Sequence, residues 1–407
     1  MARLRDKTQP FSTIKLPLGL LNFFTYGTMV IFAAFFQLYL LDIGMDKLEI
    51  GSLMAAGPLV SLLAHPFWRY LSDRGRNIRV MLLMMMVGLL IVGHLVFKVN
   101  TYPMLYLSMI LLFFFQTPLL AHTNSLTLGY IEEVGQKFGA YRLWGSLGWT
   151  FVALTAGPII DSVGQNGISL LFSVTLMLAI GSALLLPTIR KTTNTPIISP
   201  VEIRRTLQNK YFVAFVLFGV LVSLPNAINS IFLPLFMSDL GGTRFQIGVA
   251  FFLSTFFEVG AFVLLNLFLK KKLTYLMGCL TAVSLLFALR WSLMSGATSP
   301  LQVILIQVLH AVTFGGFFHV GTRLTALLLP RPLRSAGQAV YTVALSGITG
   351  VMAGLLGGWI FQNFGPVVMY KMGVILTVIG AIGFGLMWNR LRKNGYSPAM
   401  ARSEEED

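Results

Sequence analysis

A chain of 407 residues that is 56% hydrophobic and only 11% charged, with 33 Phe and 19 Met, carries more apolar surface than a water-soluble core can enclose, so lipid is its solvent. The formal net charge of +15 would suit a nucleic-acid partner, but the basic residues gather in the links on one side of the apolar runs, which reports membrane topology instead. Cys279 is the single cysteine, which excludes an internal disulfide and a thiolate metal cluster; neither a metal site nor a cofactor is expected.

Taken from the N-terminus, Met1 to Lys15 is a short basic lead without a small-residue cleavage site, so the first span is expected to be retained. Apolar runs then predict twelve spans, near 14–41, 48–70, 78–98, 103–129, 140–163, 168–188, 211–237, 245–269, 273–294, 300–326, 336–361 and 367–389. With the N-terminus inside, only Lys47, Lys98, Arg244 and Lys371 fall outside, and most other cations face the cytoplasm. The expectation is an all-α, multi-pass protein of the cytoplasmic (inner) membrane, with both termini cytoplasmic. It should act as a monomer in the lipid bilayer, with no nucleic-acid partner and no extramembrane catalytic module.

The first outer link contains Asp42-Ile43-Gly44, followed by Leu48-Glu49-Ile50-Gly51. The same pattern returns as Asp239-Leu240-Gly241 followed by Phe245-Gln246-Ile247-Gly248, at a constant offset. Gly157 through Gly164 is echoed in the same way by Gly358 through Gly365. An internal repeat of this length divides the chain into an N-terminal six-helix bundle (1–189), a cytoplasmic linker (190–210), a C-terminal six-helix bundle (211–389) and a cytoplasmic tail (390–407). Two parallel halves joined in this way are the arrangement in which a solute binds near the midplane and the halves rock around it.

After the second span comes Trp68-Arg69-Tyr70-Leu71-Ser72-Asp73-Arg74-Gly75-Arg76, read as a loop at the cytoplasmic edge. Asp73, Arg74 and Arg76 could lock the bundles in one state and separate in another; equally, the arginines could be topology anchors. On the fifth span, Arg142 and Trp149 are seven residues apart, which is two turns and therefore one face. A guanidinium fork and an indole plate suit a polar solute with a flat or ring-shaped body, and Asn124 on the fourth span is the natural polar neighbour. Tyr26 on the first span joins this candidate set. The plainer alternative is a cytoplasmic anchor and an interfacial aromatic.

In the second half, Glu258 is the one carboxylate deep within a span, and an ionisable group there needs a partner, a proton or water. Arg290 lies in the outer half of the ninth span and His310 in the outer half of the tenth, so the three could share one depth. A Glu that can gain or lose an Arg neighbour is a candidate proton switch, although a permanent ion pair is the alternative. His310 is either a coupling residue or a packed neutral imidazole. On the tenth span Gln307, His310, Thr313 or Phe314, and Phe317 form one stripe, with His319 roughly opposite.

The stretches Tyr141-Arg142-Leu143-Trp144-Gly145-Ser146, Phe257-Glu258-Val259, Leu289-Arg290-Trp291 and Gln307-Val308-Leu309-His310, with the Asp73 loop, resemble the major facilitator superfamily. Within it the chain is similar, end to end, to the phenylpropionate permease family and more distantly to lactose permease. The resemblance implies the two-bundle major facilitator fold, proton coupling at Glu258, Arg290 and His310, and substrate contact at Arg142 and Trp149. Asn226, Asn229 and Gln307 stand where lactose permease has charged residues, and are carried as candidate substrate-binding positions. Asn124 and Thr313 replace carboxylates of that pattern, which argues against lactose-like recognition.

The expected function is therefore secondary active transport: proton-coupled symport of a small organic solute, sugar-like or an aromatic acid, by alternating access. An exporter of amphipathic compounds and a non-transporting or lipid-handling membrane protein are the other readings. No nucleophile and base pair stands in the short links, so an enzyme is not expected.

Overall fold

A computed structural model describes residues 12–75, 77–134, 138–164, 166–187, 199–270 and 272–396. The described residues form helices and turns, with no strand among them. Hydrocarbon offers no partner for a backbone N–H or C=O, so each span must satisfy its own polar groups by coiling. The helices are α1 (Ser12–Ala34), α2 (Phe36–Asp42), α3 (Lys47–Gly75), α4 (Ile78–Val96), α5 (Tyr102–Gln116), α6 (Leu119–Val134), α7 (Phe138–Val163), α8 (Gly167–Leu184), α9 (Pro200–Gln208), α10 (Lys210–Asp239), α11 (Arg244–Phe268), α12 (Leu273–Ser295), α13 (Pro300–Leu328), α14 (Arg334–Thr342) and α15 (Thr349–Asn394).

Among the described residues, ten stretches are long and apolar enough to cross a membrane. The last of them, Arg331–Asn394, is two spans divided at Gly365, whose positive φ of 78° breaks α15 just before Pro366. That division, together with α11, gives the twelve spans expected.

Three boundaries differ from the sequence reading. The first span is two helices, α1 and α2, parted at Phe35. The fourth is also two, α5 and α6, because Pro118 has no N–H to continue the ladder past Thr117. The stretch 68–75, read as a loop, stays helical to the end of α3, and Asn77 then caps α4 by accepting from the Val80 N–H.

The chain forms two compact units. The first comprises residues 1–32 and 63–193. Here α7 lies directly on α1: a Cβ at Gly145 would stand 2.8 Å from the Tyr26 ring, and one at Gly148 would fall on the Phe23 carbonyl. Asn22 donates to Thr127 at 3.1 Å and Thr28 to Thr175 at 3.1 Å, tying α1 to α6 and α8.

The second unit comprises residues 33–62 and 194–407. Segment 33–62, which the sequence-based division assigns to the first bundle, groups here because α3 meets α15 backbone to backbone. Gly51 abuts Gly354, and a Cβ on Gly358 would stand 2.9 Å from the Lys47 carbonyl oxygen. Within this unit Trp291 of α12 stacks on Phe287 at 5.7 Å and on Tyr370 of α15 at 6.2 Å.

The repeat is physical as well as textual. In each copy a helix ends in Asp, turns at a glycine of positive φ (93° at Gly44, 79° at Gly241) and restarts through a capping box. In the first copy Asp46 and Glu49 cap each other, and in the second Thr243 and Gln246 do so. The backbone bonds coincide as well: Gly44 donates to Leu41 and Gly241 to Ser238, both at 2.9 Å.

Candidate functional site

In the first unit, Tyr26 of α1, Asn124 of α6 and Arg142 of α7 converge. Arg142 Nη1 donates to Tyr26 Oη, its guanidinium carbon lies 4.8 Å from the centre of the Tyr26 ring, and Tyr26 Oη donates to Asn124 Oδ1 at 3.4 Å. The glycine at 145 is what admits the Tyr26 ring against α7. Tyr26 is buried and Arg142 is exposed, so the phenol plate is fixed while the cation keeps accessible surface. Trp149 is two turns further along α7, roughly 10 Å. Its Nε1–H is enclosed without an acceptor among the described residues, a donor left for a hydroxyl or carboxylate to meet.

In the second unit, Arg290 of α12 is the centre. It is completely enclosed, at 0% exposure, and its hydrogen bonds run to neutral groups: Nη2 to Gln307 Oε1 at 2.8 Å, Nη1 to Asn226 Oδ1 at 3.3 Å and Nη1 to Thr313 Oγ1 at 3.5 Å. The Trp291 ring lies 4.6 Å from its guanidinium carbon. Among the described residues Arg290 forms no ion pair, and its Nε–H has no acceptor. Asn229, expected beside the solute, accepts from Tyr370 Oη at 3.0 Å. His310 stacks on Phe314 at 5.0 Å, and its Nδ1 has no partner among the described residues. Sequence reasoning missed Trp291 and Tyr370 as the walls of this cluster, because the two rings come from helices far apart in the chain.

Glu258 Cγ lies against Gly315 of α13, where a Cβ would stand 3.8 Å from it. Gly315 is two residues beyond Thr313, which accepts from Arg290, and eight beyond Gln307, which also accepts from it, rises of about 3 Å and about 12 Å along the helix. Glu258 is half-buried on α11 and is not among the hydrogen-bond partners of Arg290.

At the end of α3, Arg69 Nε and Asp73 Oδ2 are 3.9 Å apart, and Arg74 Nη1 donates to Tyr70 Oη at 3.3 Å; both acid and base are about half exposed. Arg76 lies outside the described residues.

Comparisons with known proteins bear on the family and the fold. The profile of the MFS_1 like family matches residues 16–372. The chain belongs to that family, within the major facilitator superfamily, and is a multi-pass membrane transporter of the major facilitator type. It is 26% identical to a maltose permease of Geobacillus stearothermophilus over 85% of this chain and 87% of the relative. It is also 26% identical to a probable 3-phenylpropionic acid transporter of Escherichia coli K12, over 89% and 95%. The crystal structure of the nucleoside transporter NupG superposes with a TM-score of 0.80 at 14% identity, covering 94% of this chain and 100% of that one, a likeness of fold.

Proposed function

We propose that this transporter is a proton-coupled symporter of a small organic solute, sugar-like or an aromatic acid, in which the proton is the coupling ion and Glu258 carries it. On this reading it works by alternating access as a monomer in the cytoplasmic (inner) membrane, with both termini cytoplasmic. The observation that carries the reading is the solvation of Arg290. Removing a guanidinium from water costs several kcal/mol unless an anion compensates it, and Gln307, Asn226 and Thr313 bring dipoles but no charge. A solute carboxylate would supply the missing charge through a forked pair of hydrogen bonds. That favours the aromatic acid over the neutral sugar, with the Trp291 and Tyr370 rings beside it as an apolar wall. The relatives named for maltose and for 3-phenylpropionic acid bracket the same two classes.

Coupling then falls to Glu258, since a protonated carboxyl crosses a low-dielectric path far more cheaply than a carboxylate. The test is uptake of labelled 3-phenylpropionate into proteoliposomes under an inward proton gradient. Wild-type protein should accumulate it, and Glu258→Gln should exchange it across the membrane without accumulating it. Accumulation by Glu258→Gln with continuing proton entry would remove Glu258 from the scheme. Solute leaving as protons enter would identify an exporter instead.

A further inference from the structure

The four charges of the repeated turn pair across the repeat. Arg244 Nη2 lies 2.7 Å from Asp42 Oδ2, and Lys47 Nζ lies 2.5 Å from Asp239 Oδ2. Asp42 and Asp239 are repeat counterparts, as are Lys47 and Arg244, so the acid of each copy meets the base of the other. The four residues stand at the ends of four helices: Asp42 ends α2, Asp239 ends α10, Lys47 begins α3 and Arg244 begins α11.

Each charge is placed against its local preference. A carboxylate at a helix C-terminus and a cation at a helix N-terminus both oppose the macrodipole. Lys47 and Arg244 are also two of the few cations on the side where the charge bias of the chain disfavours them. Neither helix electrostatics nor topology therefore accounts for these residues, whereas the reciprocal pairing accounts for all four.

Lys47 is held further. Its backbone N–H donates to Gln362 Oε1 at 3.1 Å and its Nζ lies 4.4 Å from the centre of the Phe361 ring, both on α15. Beside it Gly51 and Gly358 let the α3 and α15 backbones touch. The charges remain partly wet, with side-chain exposures of 22% to 49%, so they can separate into water without a large barrier.

We propose that Asp42–Arg244 and Lys47–Asp239 are a two-pair ionic clasp that closes the protein at the end where α2, α3, α10 and α11 meet, and that the clasp must part for solute to pass at that end. The proposal rests on the alternating-access reading above, but its test needs no solute. Spin labels at Ile43→Cys and Leu240→Cys, counterpart turn positions, in a Cys279→Ser background report the separation of the two turns in proteoliposomes by double electron–electron resonance.

At low salt the short separation should dominate. Asp42→Asn and Asp239→Asn should each raise the ratio of long to short separations by up to about fivefold, as expected for a partly exposed pair, and together more. High salt should do the same to the parent protein, with less effect on the doubly neutralised one. The exchanged variants Asp42→Arg with Arg244→Asp, and Lys47→Asp with Asp239→Lys, should restore the short separation.

Distances unchanged by neutralisation at low salt, or exchanged pairs no better than the single reversals, would overturn the clasp. Active uptake with unchanged distances sinks the clasp alone. A normal distance response in protein that accumulates no solute sinks the symport reading alone.

Discussion

Arg142 and Arg290 present the same guanidinium over an aromatic ring, at 4.8 Å from Tyr26 and 4.6 Å from Trp291, yet their energetic situations are opposite. Arg142 stands near the start of α7 with accessible surface and donates to the Tyr26 phenol, which donates in turn to Asn124. Its charge costs the fold little, because solvent can still reach it. Arg290 is sealed among neutral amides, a hydroxyl and an indole, and the folded protein carries most of its desolvation cost uncompensated. On the proposed function, one arginine would attract a solute and the other would be satisfied by it. That difference predicts that the two sites will separate stability from transport in opposite ways.

The strongest break in the comparison comes from Arg290→Met. Deleting a buried unpaired charge relieves desolvation, while Asn226 and Gln307 can turn their amides toward each other or toward Thr313, so the loss of three hydrogen bonds is partly recovered. Thermal stability should hold or rise, whereas uptake of a carboxylate solute should fall by about 100-fold or more, the scale for removing one partner of an enclosed charge pair. Calorimetry of the purified protein paired with initial uptake rates reads both. A large drop in melting temperature with uptake intact would make Arg290 a packing residue. Uptake of a neutral analogue such as the solute amide should be much less affected, which sharpens the assignment of the carboxylate.

Arg142 should behave the other way round. Arg142→Gln should leave stability within about 0.5 kcal/mol, as for other exposed positions, and raise the apparent KM about tenfold. Tyr26→Phe keeps the ring under the cation but removes the hydroxyl that links Arg142 to Asn124, so a several-fold rise in KM is expected, near the value of one hydrogen bond to a charged group. If Tyr26→Phe matched Arg142→Gln, the phenol itself would be the solute contact, with the arginine only orienting it.

These contrasts also show what the sequence could convey. The fold was legible because lipid imposes one rule on every span, and the repeat was legible because its turn needs Asp, a positive-φ glycine and a capping residue at fixed local positions. Helix phase along α7 singled out Arg142 with Trp149, and Asn124 was their expected polar neighbour, whereas the approach of the Tyr26 ring depends on Gly145, which no spacing announces. The hydrogen-bond partners of Arg290 were not legible either. Position along one helix does not say which side chains of its neighbours it meets, and Arg290 takes Gln307, Asn226 and Thr313, with Glu258 not among them. The enclosure of Arg290 by Trp291 and Tyr370, and the grouping of 33–62 with the second unit, depend on contacts between distant segments that leave no period in the chain.

The smallest effect is expected at the end of α3, where the resemblance to a superfamily signature raises the highest expectations. Asp73 is 3.9 Å from Arg69 one turn away on the same helix, and both side chains are nearly half exposed. A pair of that kind contributes about 0.3 to 0.5 kcal/mol and is screened by salt. The Arg69 pair by itself should therefore account for no more than this of the thermal stability lost in Asp73→Asn, and for less than about twofold in initial uptake rate, the equivalent of the same energy. A tenfold loss of rate at unchanged stability, insensitive to salt, could not come from the Arg69 pair, and would give the Asp73 carboxylate a part in transport that the pairing along α3 does not explain.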